Sequence, residues 1–287
     1  MGQDVDQALA ELLRPRARAE GWTWLEDQVA RLAAGGGELA IAFASAGRQV
    51  GRGGLDVPGA ELTTPAGDHI PLAAWRVDDA ARVLLLLAAA RHAPATALDR
   101  ARESYFGGDA RERVGALRAF SLLPGAADDP VALPAVLDAL RNNQGEIFEA
   151  AILDNPYASR HLPQHEWHKA TLKALFNGWP IRRIARLDQR ADAVLAQSVV
   201  DLALEREAAG RVVSPDTWPI AARFPPPGLA AKLVGYLEHW NRDHRLAAAE
   251  ALQVLAPHDP RVVPFIVDRA AREPDAAVRA LLVTVKA

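Results

Sequence analysis

Almost every patterned segment of this chain places its apolar residues at helical spacing, so the chain has few choices other than an all-α architecture. Leu9, Leu12 and Leu13 predict a short first helix, ended or interrupted by Pro15. A second runs from Trp22 to Ala34, with Trp22, Leu25, Val29 and Leu32 near one face, and stops at Gly35-Gly36-Gly37. Glu38 to Ala46 predicts a third. From 47 to 71 the period is lost in a Gly- and Pro-rich stretch, where Leu62-Thr63-Thr64 and His69-Ile70 suggest a small hairpin. A loop of this length is typically a lid, a partner-binding segment or disordered.

Helical spacing then resumes. Trp75 to Arg91 is apolar enough to be buried on several sides, Ala95 to Phe106 ends at Gly107-Gly108, and Asp109 is placed to cap Ala110 to Leu123. Pro134 to Asn142 follows the Asp129-Pro130 turn. Further on, the pattern predicts one long helix from Asp188 to Ala209. Ser214-Pro215-Asp216 is read as a cap with Pro at the first helical position, and Phe224-Pro225-Pro226-Pro227-Gly228 as a rigid connector. Helices follow from Leu229, Asp243, Pro260 and Asp275.

Two of these regions resemble each other. DARERVGALRAFSLLPGAADDPVALPAVLDA (109–139) and DHRLAAAEALQVLAPHDPRVVPFIVDRA (243–270) share a first helix, a Leu-x-Pro or Ala-Pro stop, an Asp-Pro step and a second helix entered near Pro. A further unit begins at Asp275. Helical pairs that hide their apolar faces against neighbours form HEAT-like arrays. The expectation is therefore a single all-α domain over 1–287, a HEAT-like α-α superhelical stack of antiparallel helices. Its loop-rich N-terminal section covers 1–91 with the loop 47–71, and its helical-repeat section covers 92–287.

Composition removes several function classes. With no cysteine in 287 residues, disulfides, thiol catalysis and thiolate metal sites are absent. A net charge of −3 carries no footprint for nucleic acid. The run Val83 to Ala90 is too short to cross a bilayer, and the N-terminus has no apolar core like that of a signal peptide, which predicts a cytoplasmic protein without membrane insertion. No nucleophile elbow, Rossmann fingerprint or phosphate loop is present, and no cofactor is expected.

The stretch RNNQGEIFEAAILDNPYASRHLPQHEWHKATLKALFNGWP (141–180) holds the densest mixture of polar, aromatic and ionisable residues. Asn143 and Glu146 have capping-box spacing. Ile147, Phe148, Ala151 and Ile152 share an apolar face with Glu149 at its edge, so Glu149 is a partly buried carboxylate that needs a donor. Asn155-Pro156 initiates a turn, and Tyr157 is either a packed aromatic with a tethered hydroxyl or a ligand contact. Lys173 lies on a polar stripe with Glu166, Lys169 and Asn177 and is placed to meet an anion or Glu149. Trp167, Ala170, Ala174 and Gly178 form a face suited to close helix packing. His161, His165 and His168 invite a metal reading, but the spacing is not that of a His-Glu-x-x-His site and ordinary hydrogen-bonded histidines account for them. The ligand- or partner-binding residues expected are Asn143, Glu149, Asn155, Tyr157 and Lys173, with no metal.

Arg141 and Asn143, Phe148-Glu149-Ala150, Asn155-Pro156-Tyr157, Trp167, Leu172-Lys173-Ala174, Phe176, Pro180, Ile184, Leu187-Asp188, Arg190-Ala191, Val200-Asp201, Glu205-Arg206, Ala209-Gly210-Arg211 and Ser214-Pro215 together resemble the EboA family of the ebo gene clusters. Looser features, Trp75 and Asp79-Ala80-Ala81-Arg82-Val83, extend the likeness towards the N-terminus. The chain departs from the family in having Asp154 before the turn, where His or Asn is usual, and His168-Lys169 after Trp167, where amides are. The resemblance implies a cytosolic accessory or adaptor protein in a cluster that makes or moves a small metabolite. Its partners would be other proteins of the ebo-type cluster or the metabolite itself. The competing expectation is an enzyme acting on a small polar or phosphorylated metabolite near Glu149, Asn155, Tyr157 and Lys173.

Overall fold

The computed structural model describes residues 5–284, which are all-α apart from one two-stranded hairpin. They form two compact units, the first ending at Pro163 and the second beginning at Gln164.

In chain order the first unit contains α1 (Val5–Leu13), α2 (Ala19–Ala33), α3 (Leu39–Val50), β1 (Glu61–Thr63), β2 (His69–Pro71), α4 (Val77–His92) and α5 (Ala97–Gly107). It continues with α6 (Ala110–Ala119), α7 (Leu133–Arg141), α8 (Gly145–Ile152) and α9 (Pro156–His161). Helix α4 is the axis, packed against α1, α2, α3, α5 and α6. Its run of Leu and Ala is apolar all round, and Val77 to Ala90 is buried without interruption. Beyond α6, α8 packs on α6, and α7 on α8 and α9.

The 47–71 stretch is ordered by backbone pairing. Residues 47–50 belong to α3. The Leu55 amide donates to Trp75 O (2.8 Å) and the Val77 amide to Gly53 O (3.0 Å), tying the segment to the start of α4. Leu55 and Val57 are buried beneath it. The expected hairpin forms, with Leu62 opposite Ile70 and both side chains buried. Arg160 of α9 pins its tip through Asp68 (2.6 Å).

The second unit contains α10 (Gln164–Phe176), α11 (Leu187–Arg190), α12 (Ala193–Ala208), α13 (Thr217–Arg223), α14 (Leu229–Tyr236), α15 (Arg242–Leu255), α16 (Val263–Arg272) and α17 (Ala276–Val283). Helix α12 packs on α10 and α13, α13 on α15, and α15 on α14 and α17. Trp167 and Trp218 are fully buried.

Four local expectations are corrected. The helix expected over 188–209 breaks at Ala191, because the Asp192 side chain accepts the Leu195 amide (2.9 Å) and starts α12 afresh. Ser214 is not the cap of α13 and Pro215 is not its first residue: the helix starts at Thr217, Asp216 at the cap position makes no capping bond and pairs with Arg182 (2.6 Å), and Ser214 O accepts the Thr217 amide in a plain turn. No capping box forms at Asn143. Gln144 occupies the cap of α8 without a side-chain bond, and Asn142 Oδ1 accepts the Gln144 amide (2.8 Å). Glu146 is drawn to Arg111 instead (2.8 Å), since a guanidinium binds a carboxylate more strongly than an exposed amide does. Gly178 lies just past α10 at φ +77, where it reverses the chain rather than packing a helix face.

Candidate functional site

The Asn155 turn is assembled from α6, α8 and α9. Asp154 takes φ +52, a conformation that Asp and Asn tolerate better than other side chains. This turns the chain so that Asn155 caps α9, with Pro156 at its first position. Asn155 is buried and fully bonded. Its Nδ2 donates to Ala150 O (2.9 Å) and Leu117 O (3.3 Å), and its Oδ1 accepts from the Ala158 amide (3.2 Å) and Ser121 Oγ (3.3 Å). Ser121 Oγ in turn accepts the Tyr157 amide (2.8 Å).

Tyr157 is fully buried against Phe120. Its hydroxyl accepts the Ala132 amide (2.9 Å) and donates to Asp129 O (2.9 Å). Burial above all pushes the phenol up to about 12, with the Asp129 charge adding to it, so it stays protonated as the donor this turn needs. The hydroxyl therefore holds the Asp129-Pro130 turn that leads into α7.

The other expected residues are spread out. Asn143 is exposed between α7 and α8. Glu149 is half-buried on α8, and among the described residues its carboxylate makes no side-chain hydrogen bond or ion pair. Lys173 is half-buried on α10 in the second unit, where desolvation lowers its pKa from the ordinary lysine value. His161 Nε2 lies 2.8 Å from Ala126 O, His165 faces Glu166 (3.2 Å), and His168 faces Asp192 (3.2 Å). Among the described residues no group of three or more His, Asp or Glu is arranged to hold a metal ion.

A buried charge cluster at α4 was largely missed by reading the sequence. Asp78 and Asp79 are fully buried at the start of an apolar helix, and Arg82 one turn later is nearly so. Arg82 pairs with Asp78 (2.6 Å) and donates to Phe43 O (3.2 Å). From α6, Arg111 reaches Asp78 (3.5 Å), Asp79 and Glu146, and Arg118 reaches Asp79 (3.3 Å). Burial alone would raise the Asp78 pKa, but Arg82 and Arg111 outweigh it and hold the carboxyl below its usual value. Gly115 permits the approach: a Cβ there would lie 2.7 Å from Arg82 Cδ. Two adjacent acids opening an apolar run were the available signal, since buried charges demand partners.

Concavities lie elsewhere. In the first unit a cavity of about 520 Å³ opens between α3, α5 and α6, lined by Phe43, Arg100, Glu103, Ser104 and Glu112. In the second unit a groove of about 930 Å³ runs between the Pro225–Pro227 connector and Phe265.

No curated protein and no solved structure matched the chain. The Asn155 turn, the α4 charge cluster and the 520 Å³ cavity all fall within residues 5–222, the span matched by the family described as metabolite traffic protein EboA, and with most of its length matched the chain belongs to the EboA family.

Proposed function

We propose that this protein is a cytoplasmic accessory protein that binds a small metabolite and presents it to another protein of its ebo-type cluster, without catalysing a reaction itself. The observation that carries this reading is the match to a metabolite traffic family over residues 5–222. It is supported by the use of the most chemically distinctive residues as scaffold: the side-chain groups of Asn155 and the Tyr157 hydroxyl bond inside the first unit. Among the described residues no helix is long and apolar enough to cross a membrane. Native mass spectrometry of freshly purified full chain tests the reading. A small molecule should be carried non-covalently and released on denaturation. Turnover that depends on a stoichiometric metal overturns it.

One observation favours the enzymatic alternative. Glu149 is a half-buried carboxylate left without a side-chain partner among the described residues, as a general base awaiting substrate would be. In that reading Glu149 acts on a small polar or phosphorylated substrate. Glu149→Gln then abolishes turnover with an unchanged melting temperature. A loss of stability with turnover intact assigns Glu149 to architecture.

A further inference from the structure

We propose that the cavity between α3, α5 and α6 is a binding site for a small amphoteric carboxylate: a molecule with one carboxylate, one ammonium and a short apolar body. The inference rests on the reading that the protein handles a metabolite, and it names where and of what class.

Helices α3 and α5 both pack on α4. Towards the space between them α3 presents Ala40 and Ala44, one turn apart, while α5 presents Arg100, Glu103, Ser104 and Gly107 from a single face. The small residues on both sides leave the gap unfilled. It opens to solvent, with Ala40, Ala44, Glu103 and Gly107 exposed, and its volume of about 520 Å³ lies in the range of small-ligand clefts. Buried Phe43 and half-buried Leu39 contribute to its apolar lining.

Arg100 is the residue that points to a ligand. Arg100 is half-buried as a residue, and among the described residues its guanidinium has no hydrogen-bond acceptor and no carboxylate partner. Exposed arginines such as Arg14, Arg141 and Arg279 are unpaired among them too, but the more buried ones are held. Arg102 on the same helix binds Asp99 (2.7 Å) and Val131 O (3.2 Å), and Arg82, Arg111, Arg245 and Arg269 are all paired. A guanidinium offers a planar fork that matches a carboxylate with two parallel bonds.

The other charges define the ligand further. Glu103 and Glu112 both line the same cavity, so one cation stands with two acids. Glu112 is committed to the Asp109 amide at the cap of α6. Glu103 has no partner among the described residues and is available to an ammonium. A dianionic phosphate would meet net repulsion from this set, whereas a zwitterion complements it. Ser104 Oγ donates to Arg100 O (2.9 Å) and keeps its lone pairs for a donor on the ligand.

Titration calorimetry and saturation-transfer NMR on the full chain test the assignment with a matched set of probes: L-leucine, 4-methylpentanoate lacking the ammonium, 3-methylbutylamine lacking the carboxylate, and inorganic phosphate. L-leucine should bind, 4-methylpentanoate at least tenfold more weakly, and the amine and phosphate more weakly still. Arg100→Met should weaken L-leucine binding at least tenfold, the range of a lost charge-assisted hydrogen bond. Because the Arg100 guanidinium holds no other side chain, the melting temperature should not move. Ala44→Phe, which fills the cavity without altering a polar group, should abolish binding. Binding unchanged in both variants, phosphate binding best, or no probe binding at all overturns the site. A metabolite that still co-purifies with Arg100→Met and Ala44→Phe overturns this site while leaving the metabolite-handling reading intact.

Discussion

The regions 109–139 and 243–270 read alike and fold into the same local form, yet they are anchored to different carboxylates. In each, a helix ends near a proline and an Asp-Pro turn leads into a second helix. Asp129 Oδ1 accepts the Val131 amide (2.9 Å), and Asp259 Oδ1 accepts the Arg261 amide (3.3 Å) in the same turn. Each first helix also carries an Arg two residues after its Asp. Arg111 reaches back to α4, meeting Asp78 and Asp79, and forward to Glu146. Arg245 meets its carboxylate partner forward, closing a two-pronged bond on Glu273 (3.1 and 3.1 Å), a buried acid that Arg269 also holds, and reaches back only to main-chain carbonyls, those of His239 (3.1 Å) and Trp240 (3.2 Å). The capping differs as well. Asp109 is the cap of α6, accepting the Arg111 and Glu112 amides, whereas Asn241 caps α15 and Asp243 merely pairs with Arg242. A likeness in pattern thus sets the helix pair but not which neighbour secures it.

The largest expected effect separates the two anchors. Arg111→Met strips a shared partner from two buried carboxylates and should cost about 3 kcal/mol or more, the range for leaving buried charge uncompensated. Arg245→Met leaves Glu273 with Arg269 and should cost about 1–2 kcal/mol. Urea unfolding of both variants measures this. Equal losses would mean that the difference in anchoring has no energetic meaning.

Acid should weaken the second region first. His244 is buried beside His239 (4.3 Å between ring centroids), and its Nδ1 has no hydrogen-bond partner among the described residues. Burial first, then the neighbouring His239, push its pKa down to about 4, while Asp243 and Glu207 pull the other way. The unfolded chain takes up a proton near pH 6.5, and the folded one not until about 4. Stability is therefore full above pH 6.5 and falls as pH drops towards 4, by up to about 3 kcal/mol. Asp78 has the opposite charge type and a depressed pKa, so its contribution is present above about pH 4 and fades only below that. Hydrogen exchange across pH 7 to 4 should show protection falling in α15 before α4. His244→Phe should flatten the α15 response. Loss of both in parallel would contradict this account.

The smallest contrast lies at the caps. Asp109→Ala should cost about 1 kcal/mol, as loss of an N-cap does. Asp243→Ala should stay within about 0.5 kcal/mol, since it removes one exposed pair. Thermal melts of the two variants check this, and matching losses would show that Asp243 caps after all.

Legibility followed the range of the interactions. Residues near in sequence were readable: the Asp109 cap, the Leu62–Ile70 hairpin and the turn at Asn155-Pro156 rest on contacts within a few residues, though that α9 starts there was not read. The exceptions had distant competitors. Asn143 and Glu146 have capping-box spacing, but Arg111 on another helix took Glu146. Tyr157 was legible as a packed aromatic with a tethered hydroxyl, while its partners, Asp129 and Ala132, were not. The α3–α5 cavity left no motif at all. It arises where Ala40, Ala44 and Gly107 fail to fill a space, and a gap has no sequence period.

What the sequence determined by itself is the all-α class, most helix limits, the turn at Asn155 and membership of the family, because these follow from spacing, capping and turn chemistry along one stretch of chain. What only tertiary structure decided is the pairing of charge. The burial of Asp78 and Asp79, their capture by Arg111 and Arg118, and the solitude of Arg100 in its cavity depend on which helices meet. Desolvation makes such pairings decisive, since a charge taken out of water must find a partner in space, wherever along the chain that partner lies.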